Sequence, residues 1–174
     1  MDIQTCRLLA RYNQATNVEM DLLLRRLDDV QWNKELGGYF KSIKEVCNHI
    51  YIGDFFWLKR FSKLRSFTYV EDSLFDQVLK FGTNPLELPD YLQKRVELDN
   101  VIIQFTNELV QDDLLMTLSY SDSKGVQHSR NAGGCILHMF NHQTHHRGMV
   151  SVYLDCLNID NDYSNILKML SDYH

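Results

Sequence analysis

The chain has 174 residues, 44% of them apolar and 24% charged, with a formal net charge of −5. That length suits one domain, residues 1–174, with a proper core. The acidic balance speaks against nucleic acid as a partner, because phosphate binding calls for a basic face. No charged-then-apolar leader opens the chain and no apolar run approaches ~18 residues, so neither secretion nor membrane spanning is expected. The four cysteines, Cys6, Cys47, Cys135 and Cys156, show no CxxC spacing. They read as reduced and mostly buried in a cytoplasmic protein. Two prolines and eight glycines favour helices over strands.

In chain order, residues Ile3 to Asp29 read as a first long helix. Leu8, Leu9, Tyr12, Ala15, Leu22, Leu23 and Leu27 recur near helical spacing, with charged residues between them. Asp28 and Asp29 sit badly against the negative end of that helix's dipole. Gly37-Gly38 mark a loop. Ser42, with Glu45 three residues on, predicts a capping box. A second helix follows to about Leu64, with Val46, Ile50, Phe56 (or Trp57) and Phe61 inward. Residues Ser66 to Leu88 read as a long irregular connection, with a short helical turn around Phe75 to Leu79. A bundle needs such a connection when consecutive helices run parallel. Pro89-Asp90 opens a third helix to about Val110, with Leu92, Val96, Ile102 (or Ile103), Phe105 and Leu109 inward. Alternation in Leu115–Tyr120 and Val126–Ser129 around a Gly125 turn predicts a small hairpin lying on the helices. A fourth helix runs from about Gly134 to Cys156, and Asp162 caps a short last helix to about Leu170. The fold class is therefore all-α: a four-helix bundle with a long crossover, a small β-hairpin and a short C-terminal helix.

The fourth helix carries four of the seven histidines. On a helix, residues four apart lie about 40° from each other around the axis and one turn apart, so His138, His142 and His146 share a stripe. His145 lies on its flank. Imidazoles at i and i+4 can point at one divalent cation. His138 and His146, about 11 Å apart, cannot both reach the same ion. A pair such as His142 and His146 therefore needs a third ligand from elsewhere, and His138 with His142 is the competing register one turn down. His128, in the hairpin, reads as a surface residue. Asp54 lies about 140° from His49 on its helix, which points it away from a metal held by His49 and towards a partner such as Arg147 or a helix end. Trp57 and Cys135 read as core.

Beyond spacing, the sequence resembles the DinB family, which includes YfiT-type thiol-dependent transferases. The residues that carry the resemblance are Tyr12-Asn13, Ser42-Ile43-Lys44-Glu45 followed by Asn48-His49, Asp54 and Trp57, and Asn141-His142-Gln143-Thr144-His145-His146-Arg147-Gly148. They span nearly the whole chain in the family's order. The resemblance implies a four-helix bundle in which His49, His142 and His146 hold a divalent metal, zinc or nickel, with positions left open to solvent or substrate. It also implies a small-molecule substrate, a low-molecular-weight thiol as cosubstrate, and a homodimer. His145, Arg147 and Asp54 are the candidates for supporting roles around the ligands. Three neutral ligands leave the metal its full charge, which favours Lewis-acid activation of water or of a thiol. No HExxH occurs, which disfavours a protease. The family commonly has a Gln after its Arg-Gly; here the residue is Met149. The expected activity is thiol transfer or hydrolysis, and the alternative is a binding or structural protein whose metal site is not catalytic.

Overall fold

The computed structural model describes residues 1–68 and 85–170. Four long helices dominate those residues: α1 (Ile3–Leu24), α3 (Ile43–Phe61), α4 (Leu88–Glu108) and α5 (Ala132–Cys156). A five-residue helix, α2 (Asp29–Asn33), precedes α3. An antiparallel hairpin, β1 (Thr117–Ser121) with β2 (Gln127–Asn131), precedes α5, its register running from Thr117–Asn131 to Ser121–Gln127.

Cross-helix contacts fix the directions. Asn13 reaches Asp99 and Arg7 reaches the Thr106 carbonyl, so α1 and α4 are antiparallel. Asp54 meets Arg95 and Phe61 stacks on Phe105, so α3 and α4 are parallel. His49 meets His142 and Trp57 meets His138, so α3 and α5 are antiparallel. Parallel neighbours α3 and α4 demand the long crossover between them. Its return is pinned by Asn48, whose side-chain amide donates to the Leu86 carbonyl and accepts from the Leu86 N–H. The helical turn expected around Phe75 to Leu79 lies outside the described residues.

Local chemistry sets the element ends. The first helix stops at Leu24 rather than Asp29, because Asp28 is the N-cap of α2, accepting from Gln31 N–H while the Gln31 side chain accepts from Asp28 N–H. The misfit of two aspartates at a helix C-terminus is thus resolved by making them a helix start. Ser42 caps α3 by accepting from Glu45 N–H; the Glu45 carboxylate returns to Lys41 N–H, one residue earlier than a capping box requires. Glu87 precedes α4, with Pro89 in its first turn. Asn131 caps α5, which begins two residues ahead of the expected start. At the C-terminus Asn165, not Asp162, caps a single 3₁₀ turn, Ile166–Met169.

The inward faces also differ from expectation. Trp57 is buried and Phe56 is exposed; Val96 is 46% exposed and Leu22 62%. Cys6, Cys47 and Cys135 are buried, whereas Cys156 is exposed. In α1 the middle of the buried stripe is polar: Asn13, Thr16, Asn17 and Asp21 face inward. They meet a buried seam centred on Arg95, which bonds Asp54 at 2.7 Å and Asp99 at 2.8 Å. Asp99 also accepts from Asn13 and Asn17, both at 3.0 Å. Arg147 is buried and donates to the side-chain oxygens of Asn13 and Asn17.

Asp21 lies at the edge of this seam with Oδ1 buried and unpartnered. Burial pushes its carboxyl up to about 7, against the pull of Arg95 and with a further push from Asp99. The folded state therefore binds more protons than the unfolded chain between the ordinary carboxyl value and pH 7, and stability falls as pH rises through that window. Asp21→Asn is expected to leave urea stability unchanged at pH 4 and to raise it at pH 8 by roughly 1–3 kcal/mol, because the amide carries no charge to bury. An equal effect at both pH values would show that the Asp21 carboxylate carries no such cost.

Candidate metal centre

The two longest-range assignments from the sequence meet in space. His49 projects from the second turn of α3, and His142 and His146 project from successive turns of α5. Antiparallel packing brings the three rings together. Their centroids are 4.3 to 4.8 Å apart, and His49 Nε2 lies 2.9 Å from His142 Nε2. One ligand atom from each lies within 4.8 Å of the others. No carboxylate or thiol joins this group among the described residues.

Burial and crowding keep the rings unprotonated. His142 is pushed down to about 3, by burial first and then by His146, His49 and the remaining ring neighbours. His146 is pushed down to about 4 by burial, with His49 and His145 adding to it. Burial alone lowers His49. Each ring thus offers a lone pair at neutral pH.

The neighbour of His146 sets which of its nitrogens faces inward. His146 Nδ1 lies 3.3 Å from the Met149 sulfur. A thioether only accepts, so Nδ1 carries the proton and Nε2 faces the triad. A thioether sulfur is a weak acceptor, so Met149 holds this ring less firmly than an oxygen acceptor would. His142 Nδ1 is buried and finds no acceptor among the described residues. Its Nε2 faces His49 Nε2 at 2.9 Å, where one of the two nitrogens accepts. Zinc binds imidazole at about 2.0–2.1 Å, which places tetrahedral nitrogens about 3.4 Å apart. One nitrogen from each ring lies within 4.8 Å of the others, near that spacing, so the donor set fits a divalent cation.

Three residues to which the sequence assigned no role shape this centre. Gly53, one turn after His49, faces the His142 ring. A Cβ there would come within 3.0 Å of His142 Cε1, so a side chain at 53 would displace that imidazole. The available signal was a glycine inside a helix, which costs helical stability unless something approaches closely. Phe40 packs on His49 at 4.6 Å and on His146 at 5.4 Å between ring centroids. Phe40 is held there by Tyr153 of α5, whose hydroxyl donates to the carbonyls of Gly37 and Phe40. Gly38, at φ +82°, lies where a Cβ would strike the Tyr153 oxygen at 2.7 Å.

The other expected site residues are placed apart from the triad's centre. His145 is exposed, its ring 4.8 Å from His146. His138 is exposed, 6.1 Å from His142 and 5.2 Å from Trp57. His138 is not part of the three-ring group, so the lower register is not the one that gains a third imidazole. Asp54 does point away from the triad, but its partner is Arg95 rather than Arg147. Arg95 comes from α4, and only the parallel α3–α4 packing brings it opposite Asp54. Arg147 is engaged with Asn13 and Asn17. His128 is half-buried and pairs with Asp122 at 3.0 Å.

Known proteins share this architecture. Protein DinB of Bacillus subtilis (strain 168) is 25% identical over 146 residues, covering 84% of this chain and 82% of its own length. The crystal structure of a DinB-like protein, YjoA, from Bacillus subtilis superposes with a TM-score of 0.62 at 11% identity, over 90% of this chain and 96% of that one. The family model for DinB matches residues 1–157, a span that holds all four long helices and all three triad histidines: the chain belongs to the DinB family.

Proposed function

We propose that the protein is a divalent-metal-dependent enzyme of the cytoplasm that transfers a low-molecular-weight thiol to a small electrophilic substrate. The observation that carries this reading is the three-imidazole cluster, with no fourth protein ligand among the described residues. Three protein ligands and an open side are the pattern of a catalytic rather than a structural site. Zinc and nickel both suit imidazole. A bound divalent cation would supply Lewis-acid activation.

The chain's own residues do the rest. Gly53 and Met149 set the His142 and His146 rings. Phe40 screens the His49–His146 side from water. In the reaction the thiol sulfur forms a bond to the electrophilic carbon, and the leaving group departs with its electron pair. The thiol proton passes to solvent or to His145, which is the exposed imidazole beside His146. Hydrolysis would use the same open side with water as the nucleophile. A homodimer through helix faces belongs to this proposal by family resemblance.

The test is metal-loaded protein assayed with a panel of low-molecular-weight thiols and electrophilic acceptors, beside His146→Ala. Thiol consumption matched by loss of acceptor, in the wild type alone, is the expected result. Equal rates in the two proteins would remove the metal-centred reading. Metal retention without turnover across the panel would favour the alternative, a binding protein whose metal site is not catalytic.

A further inference from the structure

Along the groove between α3 and α5, one turn below the triad, lies a cavity of about 390 Å³. That is within the range of small-molecule sites. Its apolar wall is Trp57 and Tyr120, with rings 5.4 Å apart and nearly perpendicular. Its opposite rim is Arg130 and Asn131, where β2 runs into the first turn of α5. Cys135 and His138 form its floor towards the triad.

The charge around this cavity has one sign. Arg130 lines it, and the Arg60 guanidinium lies 4.6 Å over Trp57 and 4.7 Å over Tyr120. Burial raises the Cys135 thiol pKa, and Arg130 and Arg60 are the two charges that oppose the rise. Both cations therefore act on the cavity floor. The N-terminal turn of a 25-residue helix, α5, adds positive potential at Asn131 and Gly134. The N–H groups of that turn are already used, Gly134 donating to Asn131 Oδ1 and Ala132 to the Met116 carbonyl, so the turn adds potential rather than donors. No carboxylate is among the lining residues. His138 links the cavity to the triad, its ring between Trp57 and His142.

We propose that this cavity binds a small organic anion with a flat apolar body, its carboxylate on Arg130 and its body against Trp57 and Tyr120. His138 stands between this cavity and the three imidazoles, so the anion lies beside the triad rather than on it. Its binding does not rest on the metal-centred reading above.

Trp57 reports the binding directly. The probe is 4-nitrobenzoate, a quencher of tryptophan fluorescence, with neutral 4-nitrobenzamide as its uncharged counterpart. Both are titrated into metal-free and metal-loaded protein. Saturable quenching by the anion, about tenfold weaker for the amide, is expected from loss of one charge-assisted contact. Arg130→Gln replaces an exposed side chain and leaves the core intact. It should weaken the anion about tenfold, leave the amide unchanged, and leave metal affinity unchanged. His146→Ala should still bind the anion. Anion binding that persists in a protein that takes up no metal would uphold the pocket while removing the metal reading. Equal affinity for anion and amide, or an Arg130→Gln protein that binds the anion normally, would overturn the proposal.

Discussion

Arg95→Met is expected to cost about 5 kcal/mol or more of folding stability near pH 8, against a total of about 5–15 for a typical domain. Arg95 is wholly buried and its two nitrogens bridge Asp54 and Asp99, which are themselves buried. Burial works against its charge, and the Asp99 and Asp54 carboxylates more than restore it, holding the guanidinium firmly protonated. Methionine is similar in length and removes only the charge and the donors. Two carboxylates then stand in the core without their cation, and breaking even one buried pair costs about 3–5 kcal/mol.

The pH dependence gives the sign. The orphaned carboxyls can escape the cost by binding protons, so the folded variant would hold protons that the unfolded chain has released. Its stability should therefore fall as pH rises, and the deficit relative to wild type should shrink from pH 8 to pH 5. Urea unfolding followed by circular dichroism at the two pH values measures this. The triple variant Arg95→Met, Asp54→Asn, Asp99→Asn should recover part of the loss, because it removes the unpaired charges as well. A single variant within about 1 kcal/mol of wild type at pH 8 would mean that the seam does not hold the bundle together.

The second large effect belongs to the triad. Metal at about a thousand times its dissociation constant stabilises a folded protein by about 4 kcal/mol. For a chain of this size that raises the melting temperature by about 8–16 °C. Zinc or nickel should produce such a rise in the wild type and, at the same metal concentration, at most about a third of it in His49→Ala, His142→Ala or His146→Ala. Even outer partners of a metal ligand cost about 10–100-fold in affinity when removed, so loss of a ligand should exceed about 100-fold. His138→Ala and His145→Ala keep the three converging rings and should keep the rise in melting temperature. A rise that survives His146→Ala but is lost in His138→Ala would move the metal one turn down the helix. No rise in the wild type with any divalent ion would leave the cluster without a cation to hold.

Much of this centre is legible in the amino-acid sequence, because its signals are local or periodic. A four-residue spacing on one helix puts His142 and His146 on one stripe whatever surrounds them. A capping serine places the start of α3, and with it the turn that carries His49. The hairpin follows from alternation around Gly125. The long connection before Pro89 already implies parallel neighbours.

The expectations that the fold overturns share one cause. Inward faces are expected where apolar residues recur, and the interior of this bundle is partly polar. Leu22 and Val96 have the chemistry of core residues and lie outside. Asn13, Asn17, Asp21 and Asp99 have the chemistry of surface residues and lie inside. A buried carboxylate costs less when a partner is brought to it: Arg95 comes to Asp54 from 41 residues away and Asn13 to Asp99 from 86, while Arg95 reaches Asp99 from one turn along the same helix. Asp54 stands apart from the three-imidazole group, but its match with Arg95 exists only in the parallel α3–α4 pairing. Phe40 and Tyr153 meet the site only because the loop folds back onto α5, and Gly53 matters only because His142 arrives from the facing helix. Spacing within single segments was enough to specify the four long helices, the Ser42 cap and two of the three converging rings. Packing between distant segments selected which polar groups are buried, how the three imidazoles converge and where a ligand can enter, since those depend on what an antiparallel or parallel neighbour presents across the gap.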